Sequence, residues 1–181
     1  MRQRPWILVA TVLALIGVGV LVWAFASSNG KKKPSAAAWA ADVCSAITTW
    51  KSDLNSAVDS VKANPSKDSA QKAVDDAKKS TSTLKSTLSG LGTPDVQSVD
   101  TAESALDKLE SELQQGVSSI QADVSSVSGL SDLPAAVSKV SATISTMSGQ
   151  LSATVDTLRT LPAGELQQAF KNAPECKGLT G

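Results

Sequence analysis

The sequence predicts an all-α protein: an N-terminal transmembrane helix followed by an antiparallel up-down-up-down four-helix bundle with coiled-coil-like packing. Three observations predict it. Residues 6–26 carry no charged side chain, and about twenty apolar residues cross a bilayer core as one helix. Beyond residue 34, apolar side chains recur three and four residues apart through four long stretches, the period of amphipathic helices. The whole chain of 181 residues holds four Trp, two Phe and no Tyr. A core of Ala, Val, Leu and Ile suits helices in close contact, and short connections suit antiparallel neighbours.

The first element is the apolar segment. Trp6 and Trp23 stand near its ends, about 26 Å apart along a helix, where an aromatic belt meets the two interfaces. Ala10, Ala14, Gly17, Leu21 and Ala24 form a narrow, mostly small stripe on one face, a surface on which membrane helices associate. Residues 1–5 become a cytoplasmic stub and 27–34 a linker. Arg2, Arg4 and Ala24-Phe25-Ala26 also fit a cleaved signal peptide, which would make the domain secreted. The length of the apolar run favours the uncleaved anchor. Lys31, Lys32 and Lys33 balance the N-terminal arginines, so basic residues alone do not orient the span.

The domain spans 35–181. Its first helix is expected over 35–63, capped by Ser35, with the stripe Trp39, Val43, Ile47, Trp50, Leu54, Ala57 and Val61. Asn64-Pro65 stops it. Ser66 caps a second helix reaching Leu88, with Ala70, Val74, Ala77, Thr81, Leu84, Leu88 and Leu91 on one face. Gly90 and Gly92 end it. Thr93-Pro94-Asp95 is expected to open the third helix. Its stripe runs from Val99 to Val127, slips once beside Gly116, and closes at Gly129. Asp132 and Pro134 open the fourth, whose stripe runs from Leu133 to Leu161 before Pro162. A short helical turn over 165–171 precedes an irregular tail. Helix two is Lys-rich and helix three acidic, which favours their pairing, although each exposed ion pair contributes only about 0.2–1 kcal/mol.

Four antiparallel helices return the chain to its starting end, which brings Cys176 beside Cys44. A Cys44–Cys176 disulfide is the expected pairing, against two free buried thiols. Such a bond persists in an oxidising compartment, so the domain is expected outside the cytoplasm with the N-terminus inside, at the cell membrane. Trp39 and Phe170 would join the disulfide as an apolar base plug or line a small apolar pocket.

The composition argues against several functions. There is no His, the commonest general base and nitrogen ligand. All seventeen acids follow Lys33, against twelve Lys or Arg, so the domain carries a net charge of about −5 and lacks the basic face nucleic acid requires. Ser69-x-x-Lys72 and Ser82-x-x-Lys85 match a penicillin-recognising pattern without its partner motifs. Asp100, Glu103, Asp107 and Glu110 share a helix face but lack the loop carbonyls a hard cation takes; a solvated acidic face is the simpler reading. No catalytic residue, cofactor or metal site is expected.

Trp39-Ala40-Ala41-Asp42-Val43-Cys44, with Trp50 six residues later and a lone Cys near the C-terminus, resembles a group of small actinobacterial envelope proteins. Those have a signal or anchor followed by a Ser/Thr/Ala-rich helical domain. The resemblance implies that layout and transfers no activity or site residue. The expected function is a structural or protein-interaction module that meets a protein partner or itself. The competing expectation is a ligand-sensing or ligand-carrying bundle with a cavity at Trp39 or Trp50.

Overall fold

The computed structural model describes residues 33–179, and these are all-α. Helix α1, Ala36–Ala63, starts where Ser35 Oγ accepts the Ala38 N–H at 3.2 Å. Every expected stripe residue, from Trp39 to Val61, is buried. Helix α2, Lys67–Gly90, opens with a reciprocal Ser66–Ser69 capping box, which satisfies two backbone donors at once. Leu88 and Leu91, at its end, are half-buried.

The third helix departs from expectation. It begins at Val99, so α3 is Val99–Ser125, and Thr93, Pro94 and Asp95 lie in the preceding loop. The Thr93 hydroxyl is committed elsewhere: it donates to Glu103 Oε1 at 2.6 Å. Pro94 is buried, and Asp95 pairs with Lys33 at 3.2 Å. The chain reverses at Gly92, with φ +72° and the Pro34 ring alongside, and enters α3 through Ser98 at φ 66°.

The exit from α3 is also earlier than Gly129, at Ser125. Asp132 occupies the cap position of α4, Leu133–Arg159, but its side chain does not cap that helix. Its Oδ2 instead accepts the Ser128 and Gly129 N–H groups at 3.0 and 3.1 Å, and so fixes the loop. Helix α5, Glu165–Asn172, is followed by a 3-10 turn, Pro174–Cys176, where an irregular tail was expected.

Sequence neighbours pack together: α1 on α2, α2 on α3, α3 on α4. Contact between α1 and α4 is sparse, and α5 lies against both. Trp50, Ile47, Leu109, Leu113, Met147, Leu151, Leu158 and Phe170 are among the largest fully buried side chains. The stripe does not break at Leu113 and Val117, which are both buried. Gly116 between them permits a close approach of α4. A Cβ there would lie 2.5 Å from Met147 Sδ.

Candidate functional site

At one end of the domain, α1, α5 and the tail are tied covalently. Cys44 and Cys176 form a disulfide with Cα atoms 5.1 Å apart, and both residues are buried. Phe170 of α5 meets Trp39 of α1 edge to face, with ring centroids 5.8 Å apart. Leu166, Ala169, Ala173 and Leu179 complete the plug. Ser152 Oγ donates to the Leu179 carbonyl at 2.9 Å and ties the tail to α4. Asp42, one turn from Trp39, has its carboxyl pushed above the usual range by burial and then by the negative charge of Glu175. Two carboxylates thus flank the disulfide end, one from α1 and one from the tail.

The middle of the domain is filled. Trp50 is buried, and its indole Nε1–H donates to Thr81 Oγ1 at 3.0 Å. Ser80 donates to Asp53 Oδ2 at 2.8 Å just outside it. Trp39 borders a mixed polar and apolar cleft of about 190 Å³ with Leu88, Thr93, Glu103 and Leu106; neither Trp39 nor Trp50 lines the aliphatic crevice formed by the four long helices.

That cavity lies at the other end. From Cys44 to Ala57 is about 20 Å along α1 at helical rise. All four long helices contribute: Leu54, Ala57, Val58 and Val61 from α1; Ala70, Ala73 and Ala77 from α2; Ile120 and Val124 from α3; Leu133, Ala136, Val137, Val140, Ser141 and Ile144 from α4. Its free volume is about 40 Å³ and it is partly open. Val137, Val140 and Ile144 are only half-buried, whereas the α4 stripe from Met147 to Leu161 is buried. The sequence reading missed this site because the α4 stripe looks uniform. The signal lay opposite it, in Ala57, Ala70, Ala73 and Ala77, which are too small to fill the space between helices.

Several residues of the sequence motifs that hinted at chemistry make local contacts. Ser69 Oγ donates to the Asn64 carbonyl at 2.6 Å as part of the cap, and Lys72 pairs with Asp76 at 2.6 Å. Lys85 reaches across to Glu110 at 3.2 Å, so α2 and α3 do meet through opposite charges. On the acidic face, Glu110 is thereby neutralised and Glu103 accepts from Thr93.

The predicted span at residues 6–26 lies outside the described residues, and with it Trp6, Trp23 and the face of Ala10, Ala14, Gly17, Leu21 and Ala24. Among the described residues no helix is long and apolar enough to cross a membrane. Fold and site together define a disulfide-closed, all-helical domain with an apolar crevice at its far end. Compared with known proteins, the chain matches no family model, no curated protein and no solved structure.

Proposed function

We propose that this chain is a single-pass, membrane-anchored protein whose helical domain sits outside the cytoplasm as a structural or protein-interaction module of the cell envelope. Residues 6–26 are the anchor, with the N-terminus inside. The domain is an antiparallel up-down-up-down four-helix bundle with coiled-coil-like packing, and it works by presenting a helix face to another envelope protein or to itself. The observation that carries the placement is the buried Cys44–Cys176 disulfide, since such bonds form and persist in oxidising compartments. The uncharged run at 6–26 supports the anchor. The Trp50–Thr81 and Asp53–Ser80 hydrogen bonds support the antiparallel register, because α2 positions fall as α1 positions rise.

The test is the intact mass of the membrane-fraction protein, before and after reduction, combined with protease treatment of intact cells. The reading expects a mass that includes residues 1–26, two thiols that appear only on reduction, and cleavage of the domain from outside. Two free thiols in the native protein, or a protected domain, would refute the placement. Loss of the first 26 residues would make this a secreted module. Cross-linking in intact cells then tests the interaction: a discrete adduct supports it, and an exclusively monomeric species opposes it.

A further inference from the structure

We propose that the crevice far from the disulfide binds the methyl end of a linear alkyl chain, such as the acyl tail of a lipid. Its wall is aliphatic, built from Leu, Val, Ile and Ala with a single hydroxyl, Ser141, and no charged or aromatic side chain. A polar headgroup would find no partner inside, and burying one unpaired is costly. A chain of methylenes loses nothing there and leaves water. Cavities with aliphatic walls accept apolar guests.

Volume limits the guest. The free volume of about 40 Å³ corresponds to roughly three water positions, since each needs about 10–15 Å³ by the same measure. A few methylenes fit; an α-helix, about 10 Å across, would have to displace one of the four that form the wall. Val58, Val137, Val140 and Ile144 of the lining are half-buried, so the crevice opens to the surface and the rest of the chain can leave through its mouth. Leu133 and Ala136 pack with Val127 in a small cluster of their own, and Val137, Val140 and Ile144 pack against the main core, so the crevice lies where the two clusters meet. The site is independent of the anchoring and the partner proposed above, because its wall lies wholly within residues 54–144 whichever compartment holds them.

The probe is palmitic acid with a diazirine at its terminal carbon, added to the full chain in lipid nanodiscs, irradiated, and mapped on tryptic peptides. The expected result is label on the peptides covering 52–62 and 140–159, competed by unlabelled palmitate. Val140→Phe fills the crevice and should lower that label roughly tenfold, the effect of excluding about two methylenes from an apolar site. Ala73→Leu, at a half-buried position on the opposite wall, is the second blocking variant and decides the matter should Val140→Phe lose its helical circular dichroism. Label on 52–62 and 140–159 no greater than on the non-lining peptide 86–108, label confined to residues 1–32, or equal labelling of a folded blocking variant would overturn the proposal.

Discussion

Replacing Thr81 by Val isolates one buried hydrogen bond. The two side chains differ by a methyl in place of a hydroxyl, so the shape of the core changes little. Thr81 is 6% exposed and Trp50 2%, so water cannot take over the lost partner. The indole N–H at 3.0 Å from Thr81 Oγ1 would then be buried without an acceptor, which costs about 1–3 kcal/mol. The extra methyl returns about 0.8 kcal/mol of apolar burial. The expected net loss is therefore about 0.2–2 kcal/mol, or up to about 8 °C in melting temperature for a domain near this size. Urea denaturation of wild type, Thr81→Val, Trp50→Phe and the double variant closes a cycle. The coupling energy should be near 1 kcal/mol or more, and Thr81→Ser, which keeps the acceptor, should retain most of it. A coupling indistinguishable from zero would refute the hydrogen-bond account of this site.

Three further outcomes are expected. Cys44→Ser/Cys176→Ser opens a loop between residues 132 apart in sequence and should lower stability by about 5 kcal/mol on the chain-entropy account, read as a shift of the urea midpoint without reductant. Ser98→Gly removes a side chain held at φ 66° and should stabilise by about 0.5–1 kcal/mol; a loss of stability there would show that the Ser98 side chain carries a contact of its own. Asp42 holds its proton more tightly in the folded state, because burial and then Glu175 raise its carboxyl above the ordinary 3.8. A raised folded-state value makes stability fall as pH climbs through that window, so Asp42→Asn should melt above wild type at neutral pH and match it below about pH 3.8; a constant difference at all pH values would contradict this.

The helices were legible because each long one carries an apolar period of three and four residues, and the first two have a strong start. Ser35 and Ser66 cap where their sequence context says they should. The pairing of Cys44 with Cys176 followed from a topology that returns the chain to its origin. The loops were less legible, because a capping residue can bond elsewhere. Thr93 chose Glu103, and Asp132 chose the two amides behind it. Both choices depend on which side chains the fold brings near, and no local pattern encodes that. The crevice was hidden for a similar reason. Periodicity tells which face of α4 points inward, but filling depends on volumes summed over four helices, and Ala57, Ala70, Ala73 and Ala77 count as apolar without occupying the space.

The covalent link between the start of α1 and the tail also sets the mechanical character of the domain. Tension applied between residue 33 and residue 179 runs through residues 33–44, crosses the sulfur bridge, and leaves by residues 176–179. The 132-residue separation between the cysteines is bypassed, so the covalent load path leaves out α2, α3 and α4. Under oxidising conditions the domain is a short, nearly inextensible link that keeps its crevice and helix faces intact while being pulled. Once the bridge is reduced, the same pull can unravel the bypassed segment, releasing on the order of 450 Å of contour length at about 3.4 Å per residue.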